Sequence, residues 1–187
     1  MTNLFERKTC FVITGASRGL GKCIAVNFAK KANQESAFLL LSRNTNALKT
    51  VETEIKSCCP NLKIATCEFD QGNLDENKTG KIFESIFTDK NLSLDNYEQA
   101  VIVHNAGTLG DNSKFVKDLN SAEELNSYFA INLTGVVLLN AAFMKFFTEE
   151  KCTSRFVINI SSLTAIQAFK NFALYCTGEK NIKHVPQ

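Results

Sequence analysis

Thr14-Gly15-Ala16-Ser17-Arg18-Gly19-Leu20-Gly21 is the stretch that decides the fold. The run before it, Thr9-Cys10-Phe11-Val12-Ile13, is apolar and β-branched, as a buried parallel strand requires. After it, Leu20, Ile24, Ala25, Phe28 and Ala29 recur at helical spacing. The glycines therefore stand between a strand and a helix. In that setting Gly15, Gly19 and Gly21 turn the chain tightly and admit a phosphate. Ser17, Arg18 and Leu20 then fall at the helix N-terminus, where free N–H groups and partial positive charge favour an anion. The alternative is a plain structural turn.

The same alternation continues outward. Strands are predicted at Ala37–Leu41, Leu62–Phe69, Ala100–His104 and Phe156–Ile160. Between them lie an amphipathic helix over Thr45–Ser57, a polar helix carrying Ile82, Phe83, Ile86 and Phe87, and a long helical stretch from about Ser121 to Thr148. Strands alternating with helices give parallel βαβ units, so the expected class is α/β, a Rossmann-type doubly wound parallel sheet.

Composition narrows the function. The 187 residues are 44% hydrophobic, enough for one domain with a sizeable core. A formal net charge of +2, with both signs spread along the chain, argues against nucleic acid as a partner. No apolar signal core opens the chain, and no apolar run approaches the roughly 20 residues that span a bilayer, so no membrane partner is expected. Seven cysteines without a C-x-x-C pair read as free thiols in a cytoplasmic compartment. With only two histidines and no His/Cys cluster, no metal site is expected.

Polar residues collect just after the strands, where such sheets place ligands. Dinucleotide folds usually carry an acidic residue past the glycines for the adenosine ribose, but no Asp or Glu occurs from Ala37 to Val51. Ser42 and Arg43 stand there instead. An arginine at that place pairs with a 2′-phosphate, Arg18 would be a second clamp, and NADPH becomes the expected coenzyme. The alternative for both arginines is a solvated surface position. Asp70 would either accept from the adenine amino group or form a turn. Asn105-Ala106-Gly107 would lie beside the adenine ribose, or be a loop of the same composition with no ligand. Tyr175 would donate a proton to a carbonyl oxygen while Ser162 polarises it; taken singly, the first suits core packing and the second a helix cap.

Thr14-Gly15-x-x-x-Gly19-x-Gly21, Asn105-Ala106-Gly107, Asn132, Ser162 and Tyr175 together resemble the short-chain dehydrogenase/reductases. His104–Asp111, Leu41–Asn44 and Asn159–Lys170, continuing to Ala173–Cys176, look more specifically like the sepiapterin reductase branch. The resemblance implies NADPH-dependent reduction of a pterin side-chain carbonyl, in tetrahydrobiopterin synthesis. It makes Tyr175 the proton donor, Ser162 the carbonyl polariser and Asn132 the holder of a relay water, or else a bland interior amide. It also implies a cytoplasmic homodimer built through the long helix and the helix of the tyrosine.

The family's lysine lies four residues after the tyrosine. Here that position holds Glu179, and Lys180, one position further, swings off the face of Tyr175. The likeness covers residues 8–178 and leaves a divergent tail at 179–187. The expectation is a single NADP-binding domain over 1–187, lacking the family's C-terminal strands and exposing the fifth strand as an edge. The alternative function is a catalytically impaired truncated isoform that binds only NADPH or partner subunits.

Overall fold

The computed structural model describes residues 4–94 and 97–183. Five strands form one sheet: β1 (Thr9–Thr14), β2 (Ala37–Ser42), β3 (Lys63–Glu68), β4 (Gln99–His104) and β5 (Ser154–Asn159). All pair in parallel, in the order β3-β2-β1-β4-β5. The chain moves outward from β1 to β3 and then returns to build the other half from β4. The reversal point lies between β1 and β4, where a doubly wound sheet opens a crevice at its carboxyl ends.

Alternation along the central strands feeds two cores. Cys10, Val12, Leu39, Leu41 and Ile102 face one side. There they meet α4 (Ile82–Asp89) and α6 (Gly135–Phe146), with Phe83, Phe87, Phe143 and Phe147 packed together. Phe11, Ile13, Phe38, Leu40 and Val103 face the other side, against α1 (Gly19–Lys31) and α2 (Thr45–Cys58). Phe11 and Phe38, in register on β1 and β2, stack with ring centroids 4.7 Å apart. A short helix α3 (Glu76–Gly80) precedes α4, and α5 (Ala122–Phe129) precedes α6. The last described element is α7 (Ala173–Lys183). β5 lies at one edge with all six residues half-buried, as expected of the fifth strand.

Two expectations are corrected. The long helix is not regular: residues Ala130–Thr134 form a π-helical segment between α5 and α6, and Asn132 sits inside it. The run Ala122–Phe146 is also, by length and composition, long and apolar enough to cross a membrane, with 25 residues and a window mean hydropathy of 1.6. Apolar residues on both its core side and its outer side raise the mean despite Asn132, Thr134 and Asn140. In this fold Val136, Leu139 and Phe143 pack into the protein core.

Gly135 is where α6 meets the turn after β3. A Cβ there would stand 2.2 Å from the Gln71 carbonyl oxygen. Gly135→Ala is expected to lower stability in urea by about 1–3 kcal/mol, as overpacked sites do. Gly80→Ala, where a Cβ would meet nothing within 4 Å, is expected to leave it nearly unchanged.

Candidate functional site

The crevice begins at the turn after β1. Gly15 and Gly19 hold φ of +64° and +54°, a left-handed region that suits glycine. Arg18, the extended N-cap of α1, makes no side-chain cap, and the first turn carries no acidic residue. The N-terminal N–H groups of a 13-residue helix are thus left open to an anion. A Cβ at Gly19 would meet nothing within 4 Å, so the turn presents bare backbone to open space.

Around that turn lies a cleft of about 840 Å³. Gly15, Ser17, Arg18, Gly19, Leu20, Ser42, Arg43, Asp70, Asn105, Ala106 and Gly107 all line it, as the sequence reading places them. Gly21 does not. It is buried, and a Cβ there would stand 2.4 Å from the Gly15 carbonyl oxygen and 2.5 Å from Asn105 Nδ2. Its contribution is to let the turn close against β4.

Arg18 and Arg43 are exposed, and neither takes part in a salt bridge among the described residues. Two guanidinium groups with open donors suit a phosphate, and no carboxylate at the end of β2 opposes it. Ser42 donates to Ser17 Oγ at 2.8 Å, tying the β2 end to the glycine turn. Asp70 caps a short 3₁₀ turn, Gln71–Asn73, by accepting from Gly72 N at 3.1 Å, so it forms a turn and lines the cleft at once. These features fit a phosphorylated dinucleotide.

Asn105, Ala106, Gly107 and Thr108 also line a second, smaller cavity of about 170 Å³, shared with His104, Asn132, Ser161, Tyr175 and Glu179. Asn132 is buried, and its side chain bonds twice to one residue: Oδ1 accepts from Thr108 N at 2.8 Å and Nδ2 donates to Thr108 O at 2.9 Å. Its amide therefore fixes the loop after β4 and keeps one N–H and one lone pair free. Ser162 caps the 3₁₀ turn Leu163–Ala165, accepting from Thr164 N at 3.2 Å. Its side chain also lies near enough to Tyr175 to act on the phenol, lowering its pKa.

Burial is the main force raising the Tyr175 phenol above its ordinary value, and the charge of Glu179 raises it further. The nearby Ser162 side chain pulls the other way. The phenol is thus neutral and proton-bearing at neutral pH. Lys180 is exposed, and α7 runs on as α-helix, so nothing returns that ammonium to the tyrosine's face.

Four neighbours were not legible beforehand. Gln71 is buried and donates from Nε2 to Ala106 O at 3.1 Å and Ile131 O at 2.7 Å, bridging the cleft loop to the π segment. His104 ends β4 under the small cavity, and burial pushes its imidazole down to about 4 while the Asn140 side chain partly opposes this. Tyr128 on α5 has its hydroxyl buried without a hydrogen-bond partner. Gly178 lets α7 approach that ring: a Cβ there would stand 2.4 Å from the Tyr128 hydroxyl oxygen. Gln71, Tyr128 and Gly178 belong to no periodic pattern or glycine motif, and His104 reads only as the end of the fourth strand, so long-range packing alone reveals these contacts.

The sequence profile described as short chain dehydrogenase matches residues 9–184. Sepiapterin reductase of Meriones unguiculatus is 36% identical over 169 residues, covering 90% of this chain and 63% of that protein. Sepiapterin reductase of Bos taurus is 36% identical over 173 residues, covering 92% and 63%. The chain thus spans less than two thirds of the length of these curated relatives. Among solved structures, a short chain dehydrogenase from Escherichia coli CFT073 complexed with NADPH superposes with a TM-score of 0.77 at 21% identity, covering 95% of this chain and 68% of that one.

The buried imidazole gives a pH prediction. Its value in the fold is about 4, below the ordinary 6.5, so between these limits the unfolded chain binds more protons than the folded one. The stability held above pH 6.5 is therefore lost as pH falls toward 4, by up to about 3 kcal/mol from this group. Urea unfolding at a series of pH values should show that slope in the wild type and a shallower one in His104→Gln.

Proposed function

The chain belongs to the short chain dehydrogenase family, and from that premise we propose that it is an NADPH-dependent reductase of a small carbonyl compound, the side-chain ketone of a pterin. The observation that carries this reading is the meeting of Ser162 and Tyr175 beside a cavity that shares Asn105–Thr108 with the basic cleft. The names of the relatives support the pterin, and the NADPH in the E. coli structure supports the coenzyme. A cytoplasmic setting agrees with the seven unpaired thiols.

In this reading the open N–H groups at Gly19–Gly21 and Arg18 hold the pyrophosphate, and Arg43 with Arg18 holds the 2′-phosphate. Asp70 meets the adenine, while Asn105, Ala106 and Gly107 flank its ribose. The coenzyme, when bound, supplies hydride to the carbonyl carbon. Tyr175 gives its phenolic proton to the oxygen that gains charge, and Ser162 donates to the same oxygen as the charge develops. Asn132 acts at one remove, by fixing Thr108 at the wall of the cavity. A second reading, coenzyme binding without turnover, has one observation in its favour: a buried carboxyl stands beside the phenol.

NADPH fluorescence on binding should report a clear preference over NADH. Arg43→Ala should weaken NADPH about tenfold or more and leave NADH nearly unchanged, since only the former carries the extra phosphate. Equal affinity for both coenzymes would remove the coenzyme assignment. With sepiapterin as substrate, Tyr175→Phe should lower turnover by about a hundredfold or more, the scale of a lost proton donor.

A further inference from the structure

At the far end of α2 the sequence sets two cysteines side by side, Cys58 and Cys59, and Pro60 follows. Neighbouring side chains on a regular helix point about 100° apart, and on a strand they point to opposite faces, so adjacent thiols do not ordinarily meet. Pro60 changes that. A residue before proline is pushed out of the helical region, and Cys59 accordingly leaves α2 with φ −137° and ψ 69°. Its backbone N–H still donates to Ile55 O at 2.8 Å, so the helix end stays closed. Lys56 Nζ donates to Pro60 O at 3.2 Å and also to Leu62 O, pinning the turn beyond. The result is a contact between sulfurs: Cys59 Sγ stands 3.6 Å from Cys58 Sγ.

The pair is open on one side and backed on the other. Cys58 is exposed, whereas Cys59 is 4% exposed, with its Sγ 3.5 Å from the Ala29 carbonyl oxygen of α1. The other five cysteines stand on separate elements: Cys10 on β1, Cys23 on α1, Cys67 on β3, Cys152 before β5 and Cys176 on α7. The distance selects what the pair can hold. Two sulfurs at about 2.3 Å from one tetrahedral centre stand about 3.8 Å apart, close to the separation found. Such a metal wants four ligands, and no group of three or more His, Cys, Asp or Glu side chains gathers among the described residues. A soft ion held linearly would set its sulfurs on opposite sides of itself, farther apart than this. A disulfide is disfavoured, because adjacent Cα atoms about 3.8 Å apart fall short of the roughly 4.4 Å at which disulfides begin. What remains is a pyramidal thiophilic centre that carries one substituent of its own and takes two thiols at a bent angle.

We propose that Cys58 and Cys59 form a dithiol site for an organic trivalent arsenical, R–As=O. The exposed Cys58 engages first, and Cys59 closes the ring as an intramolecular step. Two S–H bonds and the As=O bond break, two As–S bonds form, and both protons leave with the oxygen as one water. Arsenic stays trivalent, no electrons are transferred, and no oxidant is needed. Ring closure costs Cys59 only its weak contact with Ala29 O. Thr45, where α2 starts at the coenzyme cleft, lies roughly 20 Å away along the helix axis, so the site is independent of that cleft.

The test is the intact mass of the reduced full chain after one equivalent of phenylarsine oxide, with the monothiol glutathione in excess. The wild type should carry one arsenical per chain and release it to an added dithiol such as ethanedithiol. In competition, Cys58→Ser and Cys59→Ala should each hold it at least about a hundredfold more weakly, the scale of losing the second arm of a two-point attachment. Cys23→Ser, which removes an exposed thiol elsewhere, should bind as the wild type does. Position 58 is at the surface, so its variant decides where the buried Cys59 variant does not fold. The folded chain should also bind about tenfold or more tightly than the chain in urea, because its sulfurs are already placed. Loss of the wild-type adduct to glutathione, or its survival in Cys58→Ser, overturns the site. Equal affinity in urea overturns it too, since adjacency in sequence alone would then account for the capture.

Discussion

The Thr14 hydroxyl is the joint on which the site depends. Its oxygen accepts from Asn105 N at 3.0 Å and from Ala106 N at 2.9 Å, which locks the end of β1 to the loop after β4. Asn105 Nδ2 completes the knot by donating to Thr14 O at 3.1 Å. β1 and β4 are neighbours only because the chain reverses direction across the sheet at this point. The knot therefore fixes the crevice walls at the place where the topology opens them. Gly21 is part of the same constraint, since any side chain there would strike Gly15 and Asn105 and pry the walls apart. Gln71 and Asn132 extend it: one ties the loop to the π segment, and the other ties Thr108 to the helix interior. The basic cleft and the small cavity beside Tyr175 are thereby held on one continuous strip of backbone.

Charge is distributed unevenly along that strip. At the glycine turn the free groups are cationic, with two arginines and an uncapped helix N-terminus. At α7 the one ionisable acid is buried among phenols and an amide. An anionic ligand is attracted at the first end and gains nothing electrostatic at the second. This gradient separates the two ends of the crevice: Arg18 and Arg43 stand at the cationic one, Tyr175 and Glu179 at the other.

The fold was legible because its causes are local. Apolar β-branched runs, helical periodicity and glycine placement each leave a pattern in a short window, and the five strands lie within a few residues of where those patterns end. The nucleotide cleft was legible for the same reason, since its lining is drawn from the residues that follow β1, β2, β3 and β4. The π segment was not: Ala130–Thr134 has the apolar spacing of its flanking helices, and the extra residue in the turn is imposed by Asn132 reaching Thr108 and by Gln71 holding Ile131 O. His104 and Tyr128 escaped notice because they look like ordinary strand and helix residues until the chain brings one under the small cavity and the other against α7. Asp70 and Ser162 each cap a turn, and Asp70 lines the cleft as well.

The packing of α7 bears on why a carboxyl is buried at position 179. Gly178 lets the helix come against the Tyr128 ring more closely than any other residue would allow. That approach carries the next position into the interior, beside the two phenols, whatever its side chain is. An apolar residue would satisfy such a position without desolvating a charge. A glutamate there instead leaves an acceptor without a partner at the wall of a polar cavity large enough for water. The electrostatic state of the Tyr175 phenol is therefore set by how tightly a helix seats on its neighbour, and not by the coenzyme cleft at the other end of the crevice. A change that loosened α7 from Tyr128 would let water reach Glu179, screen its charge, and ease the phenol toward its ordinary value without altering Tyr175 or Ser162 themselves.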